Sequence, residues 1–424
     1  MKRKILLVYA ALSYPLRDNT KLLIECFRRY SDDHWFYLNL AHKAAPSYLR
    51  HIDFDLIVFQ TTFVQRLSRS DAHYAMMCKR AAPLMSISAP KAALVQDEFW
   101  NVGKVARFIK AFDVSVLFSV APETEWPNLY PGIDREKVRF HRVLTGYLDE
   151  KLLDRLIDAG SASKARSMDI VYRAAGKPSP AWGKLGYVKQ RLADAVSHLA
   201  PQYNLKADIS TNSQDALFGD AWISFLARAR YTIGAPSGAS LLDRDGHIRA
   251  KVDAYLAAHP EATFEEIEDQ CFPRMDGNLS LEAIGPRHIE AAATQTCQVL
   301  VEGDYNGLLK AGVHYLAVLP DLSNLSSVLS MLGDEAMRQA IAKRAFEDLI
   351  LPRQVTYRNF VAEILKISLP DARESAPLKG RQMVLLRWMR WVDHFEWQIA
   401  RFISTPVRKV RDRLVALRSR SRHG

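Results

Sequence analysis

Over the first 150 residues, short apolar runs rich in Val, Ile, Leu and Phe alternate with segments of 3.6-residue periodicity. The runs Ile5–Ala10, Trp35–Leu40, Leu56–Gln60, Ala92–Gln96, Val114–Ser119 and Val138–Arg142 predict strands, and Lys21–Tyr30 and Val102–Phe112 predict helices between them. Strands that are apolar at nearly every position are covered on both faces, so the pattern predicts a parallel sheet flanked by helices. That is a doubly wound α/β domain. The stretch from Asp158 to Ser167 is small and polar and reads as a linker. The alternation then resumes with strand Met168–Tyr172, helix Gly186–Leu199, strand Lys206–Ile209, helix Asp220–Arg228 and strand Tyr231–Ile233. Beyond an insert come helix Arg287–Thr296, strands Gln298–Val301 and Tyr315–Val318, and helices from about Leu322 to Leu349 and on to Ile367. The expected architecture is two doubly wound Rossmann-like domains, 1–157 and 168–367, facing a cleft where ligands meet the carboxyl ends of strands.

The C-terminal segment 379–424 follows another pattern. Leu385, Trp388, Met389, Val392, Phe395, Ile399, Phe402 and Ile403 recur at helical spacing. Thr405-Pro406 then offers an N-cap and first-turn proline to a second helix striped by Val407, Val410, Leu414 and Leu417. Charge sharpens the contrast. The chain carries a net +11, but residues 379–424 hold 12 Lys+Arg against 3 Asp+Glu, which leaves only +2 for the other 378 residues. A near-neutral body with a basic tail does not read as a nucleic-acid protein as a whole. Trp and Phe on one helix face with arginines around them predict a basic amphipathic tail lying on an anionic membrane surface. Docking onto another protein and an aromatic nucleic-acid arm are the rival readings of the tail; its clean apolar face favours lipid, and no nucleic-acid partner is expected. The polar stretch Pro370–Ser375 reads as the linker before it.

Composition excludes several classes. At 48% hydrophobic and 25% charged residues the chain is neither disordered nor collagen-like. Its four cysteines lack C-x-x-C spacing and any histidine at ligand spacing, which argues against a disulfide scaffold and a zinc module and suits a reducing compartment. The start Met1-Lys2-Arg3-Lys4 before Ile5–Leu12 superficially resembles a leader peptide, but Ser13, Tyr14, Pro15, Arg17 and Asp18 break the run, which reads as a first strand. No stretch reaches the roughly 20 apolar residues that span a bilayer. The expected location is cytoplasmic, peripheral at the inner face of the plasma membrane.

The segment from Glu282 to Gly303 carries the most chemistry. Gly285 ends a loop, Pro286 suits a first helical turn, Glu290 lies one turn in, and Ala291, Ala292 and Ala293 permit close packing. Backbone N–H groups and the positive end of a helix dipole make an anion site, and a carboxylate just inside can accept hydrogen bonds from a ribose. A plain surface helix start is the alternative. The segment resembles the donor-site motif of retaining nucleotide-sugar glycosyltransferases with two Rossmann-like domains (the GT-B type). In those enzymes Glu, seven residues and Glu are followed by Ala-x-Ala and a strand. Glu282 and Glu290 reproduce that spacing, and the core Pro286-Arg287-His288-Ile289-Glu290-Ala291 is similar to the spore-maturation-like subgroup. The likeness is strongest over residues 169–330 and only architectural over 1–150.

The resemblance implies a fold, an activity and a site. Glu290 would hold the nucleotide ribose with Arg287 and His288 beside it, and Glu282 the donor sugar. Strand Met168–Arg173 ends in an arginine where the family has a basic pair gripping the diphosphate; Arg173 matches, with Lys184 or Lys189 as the second cation. The loop Ile233–Ser240 offers Ser237, Gly238 and Ser240 for close approach to the donor, although a tight turn explains it equally. Asp97 and Glu98 follow a strand, and Asp97 is the candidate for taking the acceptor proton; a solvated turn is the alternative. The first strand is followed by Ser13–Asn19 in place of the Gly-Gly turn common in the family, which leaves the acceptor side open. Asp243-Arg244-Asp245-Gly246 has a divalent-cation flavour but reads better as a turn, so no metal and no separate cofactor is expected. His314 reads as structural. The expected activity is transfer of a sugar from a nucleotide-sugar donor to a surface-glycan or lipid-linked acceptor, with retention and without metal. The alternative is a non-catalytic nucleotide- or glycan-binding scaffold of glycan assembly.

Overall fold

The structure is a computed structural model that describes residues 2–12, 16, 18–158, 166–174, 176–369 and 380–392. The turn Ser13–Pro15, most of the expected linker at 158–167, the polar stretch Pro370–Ser375 and the second tail helix lie outside the described residues.

The first sheet has six strands: β1 (Lys4–Tyr9), β2 (His34–Asn39), β3 (Leu56–Phe59), β4 (Lys91–Leu94), β5 (Val116–Ser119) and β6 (Arg139–Arg142), in the order β2-β1-β3-β4-β5-β6. The pairings of β1 with β2 and β3, and of β3 with β4, are parallel. Every residue of β1 is buried, as a strand between two neighbours and two helical layers must be. β6 is partly exposed, as befits an edge.

The second sheet joins β7 (Met168–Arg173), β8 (Ala207–Ser210), β9 (Ala229–Gly234), β12 (Cys297–Val301) and β13 (Leu316–Val318) in the order β13-β12-β9-β7-β8, all parallel. Between β9 and β12 a two-stranded antiparallel ribbon pairs β10 (Ser237–Ala239) with β11 (Leu281–Ala283), setting Gly238 opposite Glu282. Alternation along the strands fills both faces. Ile170, Tyr172, Val299 and Val301 pack on one side with Val188, Leu192 and Val196 of helix Gly183–Leu199. Leu300 points the other way, against Ile289 and Ala292 of helix Pro286–Ala293. Each buried Val or Leu of helix Gly183–Leu199 contributes about 1.5–3 kcal/mol, so Leu192→Ala alone removes enough to loosen that layer. The chain turns outward from β7 to β8 and returns to β9 on the other side of β7. This is the topological switch point, where open α/β sheets place their ligand sites at the carboxyl ends of the strands.

The α/β class and the two sheets are those expected, with strand limits shifted by a residue or two. The sheets fall on either side of the anticipated linker. By compactness, however, the chain divides into one unit of residues 1–94, 108–117 and 366–424 and another of 95–107 and 118–365. The insert, unassigned in the sequence, contains β10, β11 and helices His247–Ala258 and Phe264–Cys271.

The structure changes the picture of the tail as a segment apart from the body. Residues 380–392 form a helix, but the stripe Leu385, Trp388, Met389 and Val392 straddles its buried and exposed sides instead of forming one exposed face. Gln382, Leu386 and Met389 turn inward in the first unit, and Trp388 and Trp391 turn outward. The Gln382 amide donates to the His51 carbonyl (3.1 Å) and to Asp53 (2.9 Å). The helix is therefore built into the first unit, and removing 379–424 would uncover apolar surface rather than leave the body intact. No helix among the described residues is long and apolar enough to cross a membrane.

Candidate functional site

Within the second unit, the carboxyl end of β9 runs straight into small residues. Gly234 lets the strand end lie close to the helix: a Cβ would stand 3.1 Å from Nε2 of His288 and 3.0 Å from the Leu300 side chain, tight enough that one of them would have to shift. His288 lies in the first turn of helix Pro286–Ala293 and is buried. Its Nδ1 accepts the Gly285 N–H (2.9 Å), which fixes the neutral tautomer with the proton on Nε2. Nε2 itself has no hydrogen-bond partner among the described residues. Burial, then the charges of Arg287 and Lys189, push the imidazole down to about 3. An uncharged ring with an unused donor therefore faces the end of β9.

Two cations stand beside it. Arg287 donates from one amino group to the Arg173 carbonyl (3.0 Å), and its guanidinium lies over the Tyr172 ring at 5.4 Å. The ammonium of Lys189, on helix Gly183–Leu199, makes no hydrogen bond or ion pair among the described residues. Burial of its ammonium, with the like charge of Arg287 next, pushes it down to about 8; Asp97 opposes the shift. An unpaired ammonium beside a guanidinium is costly unless an anion arrives. Asp97, on a left-handed turn after β4 (φ 53°), is thereby brought to this group.

Glu290 sits one turn further along the helix. Burial raises its carboxyl, opposed by a hydrogen bond from Trp222 Nε1 (2.7 Å) and by the charge of Arg287. Trp222 stacks on Phe225 (5.8 Å), whose ring also carries the Arg173 guanidinium at 4.5 Å. Glu282, on β11, accepts the Asp304 N–H, and burial raises its carboxyl. A Cβ on Gly303 would come within 2.5 Å of Glu282 Oε2, so that glycine makes room for the carboxylate. Ser237 lies against the same helix start: a Cβ on Gly285 would stand 2.5 Å from its Oγ.

The other expected residues are turned elsewhere. The Arg173 guanidinium donates to the Asp208 carboxylate (2.5 Å) and carbonyl (3.0 Å), so its charge is already paired on β8. Lys184 is exposed and pairs with Glu268 (3.1 Å) and Asp276 (3.9 Å), which raise its ammonium. Of the two lysines, Lys189 therefore joins the Arg287 group and Lys184 does not. Ser240 Oγ accepts from Leu185 N–H (3.1 Å) and donates to Asp276 (2.7 Å), which places it at the start of helix Gly183–Leu199. Gly238 (φ 133°) answers a packing need, because a Cβ would fall 1.9 Å from the Leu281 carbonyl across the ribbon. Asp243 caps helix His247–Ala258 through Ile248 and Arg249 N–H (3.2 and 2.8 Å). Glu98 is a buried hub that accepts from Ser119, Tyr130, Val120 and Ala121. His314 accepts the Lys310 N–H (3.0 Å) and contacts Asp348 (3.1 Å).

Trp222 was not anticipated. A tryptophan in an amphipathic helix is ordinary, and its partner Glu290 is 68 residues away.

No family model matches the chain, and no curated protein matches it. Similar solved structures include HepE of Anabaena in complex with UDP-glucose, 13% identical, which covers 86% of this chain and 100% of its own at a TM-score of 0.46. A glycosyltransferase from Rickettsia africae is 12% identical over 88% of this chain and 100% of its own, with a TM-score of 0.44. The pneumococcal O-GlcNAc transferase GtfA, in complex with UDP and GlcNAc, is 10% identical over 74% of this chain and 56% of its own, with a TM-score of 0.37.

Proposed function

We propose that the chain is a glycosyltransferase that takes a sugar from a nucleotide-sugar donor. The observation that carries this reading is the unpaired Lys189 ammonium beside Arg287 and the unused Nε2–H of buried His288, at the switch point of a parallel sheet. Such a group suits a diphosphate: two cations offset its charge, and a neutral donor adds a hydrogen bond. Charge grows on a leaving diphosphate as the glycosidic bond breaks, so the same groups lower the barrier. Glu290, oriented by Trp222, would receive ribose hydroxyls, and Glu282 would receive the donor sugar, as its spacing from Glu290 in the family motif implies. Asp97 would assist the acceptor proton, and Arg173 would support the site through its carbonyl bond to Arg287. Retention of configuration, metal independence, hexosyl transfer and a surface-glycan or lipid-linked acceptor at the inner face of the plasma membrane belong to the same proposal. So does a role in polysaccharide biosynthesis.

The test is a panel of nucleotide sugars in titration calorimetry, followed by product analysis with a lipid-linked acceptor. Binding of one donor with turnover supports the reading. Binding without transfer or hydrolysis would instead make the chain a nucleotide-sugar-binding scaffold, and no binding to any member would remove the proposal.

A further inference from the structure

We propose that Met383, Val384, Trp388 and Trp391 form an interfacial wedge that seats the first unit on an anionic lipid surface. The four side chains lie on the outer side of helix 380–392. Trp388 and Trp391 are each 54% exposed and stack on one another at 5.2 Å. The opposite side is fixed to the body by buried Leu386 and Met389 and by the Gln382 bonds to His51 and Asp53. The helix that carries the wedge is therefore held in place by packing, so its backbone is already ordered before insertion.

Its chemistry suits a bilayer surface. Indoles combine an apolar body with a polar edge and favour the headgroup level. Arg381 and Arg387 are exposed beside the wedge, and Arg390 contacts His34 (3.2 Å) and lies over Phe36 (5.0 Å). Residues 379–392 contain four Lys+Arg and no Asp or Glu, and the sequence from 393 to the end adds eight Lys+Arg against three acids. An anionic surface complements that charge, each basic residue near it contributing about 1 kcal/mol. A protein partner fits less well, because four side chains of one short helix fall well short of the roughly 800 Å² per partner of a stable complex.

The experiment is flotation of the full chain with vesicles of phosphatidylcholine containing one third phosphatidylglycerol, against phosphatidylcholine alone, in low and high salt. The full chain is expected to float with the anionic vesicles and to remain partly bound in high salt. Replacing Trp388 and Trp391 together by Ala should lower the bound-to-free ratio in high salt tenfold or more with an unchanged thermal midpoint, whereas replacing both by Phe should retain most of it. Four results would overturn the proposal: a full chain that stays in solution, equal binding to neutral vesicles, an alanine variant that floats like the parent, or an alanine variant that dissociates a dimer in size-exclusion chromatography. The last would assign the face to a second copy of the chain.

Discussion

Two helices of the second unit begin beside the same parallel sheet, and their first turns are finished in opposite ways. At the start of helix Gly183–Leu199 the chain supplies its own anion. Asp276 accepts from the Lys184 N–H (3.2 and 3.3 Å), Ser240 bridges Asp276 to the Leu185 N–H, and the Lys184 side chain pairs with Glu268. At the start of helix Pro286–Ala293 the chain places Arg287, an uncharged His288 with an unused Nε2–H, and the unpaired Lys189. A helix N-terminus attracts anions in either case. The difference is whether folding has already provided one. Small residues mark both sites, so glycine and serine do not separate them; an unused donor and a lysine ammonium without an ion pair do.

The most severe way to break this contrast is at Lys189. Lys189→Ala is expected to lower kcat with the preferred donor by about 10²–10³-fold, the scale of losing one preorganised electrostatic group. Lys184→Ala should leave kcat near the parent value, since that ammonium is committed to Glu268. Steady-state kinetics on the two variants decide the matter. A silent Lys189→Ala beside a crippled Lys184→Ala would invert the assignment of open and closed ends.

A smaller effect is expected one turn along. Glu290→Ala should weaken donor binding by roughly 1.5–3 kcal/mol, because ribose hydroxyls lose a charged acceptor. Trp222→Phe keeps the ring against Phe225 but removes the indole N–H, and should cost about 1 kcal/mol in donor affinity with little change in kcat. Calorimetry with a donor lacking the 2′-hydroxyl sharpens the point. If Trp222 acts through Glu290, its loss should matter less for that donor than for the natural one.

How far the sequence displays these sites follows from what local pattern encodes. β1 was legible because a strand covered on both faces is apolar throughout, and the Glu282/Glu290 spacing was legible because both lie within nine residues. Lys184 and Lys189 could not be told apart in this way. They are five residues apart, about 140° around one helix. Which of them is paired depends on Glu268 and Asp276, more than 80 residues on. The β10–β11 ribbon was hidden for a related reason, since Ser237-Gly238-Ala239 has no apolar run and its partner strand starts at Leu281. Arg173 shows the converse. Its position at the end of β7 was visible, and its capture by Asp208 on β8 was not.

The acid limb of the stability curve tests the open end without any ligand. The folded His288 binds a proton only near pH 3, whereas in the unfolded chain it does so near 6.5. Below 6.5 the unfolded state takes up that proton and the folded state does not, so stability falls as pH drops from 6.5 towards 3. The slope due to this group approaches about 1.4 kcal/mol per pH unit. Urea unfolding at intervals across that window should show a shallower fall for His288→Gln than for the parent. Parallel curves would mean that the imidazole is not held neutral in the folded chain.

The closed end makes the mildest prediction. Removing the Asp276 carboxylate takes away the acceptor of the Lys184 N–H, the acceptor of the Ser240 hydroxyl and one partner of the Lys184 ammonium. The ion pair lies partly in solvent and contributes little. The cap remains, and loss of a capping side chain costs about 1 kcal/mol. Gly183 (φ 73°) adds no strain to the variant, because a Cβ there would have met Asp276 Oδ1 at 2.1 Å and the substitution only opens that space. Asp276→Ala should therefore lower the urea midpoint slightly and leave donor affinity and kcat at the parent values. Rescue of the lost stability by added nucleotide sugar no greater than in the parent would confirm that this helix start takes no part in donor binding. A donor that stabilises the variant more than the parent would show that the carboxylate had been standing in for a phosphate, and the two helix ends would then differ in occupancy rather than in purpose.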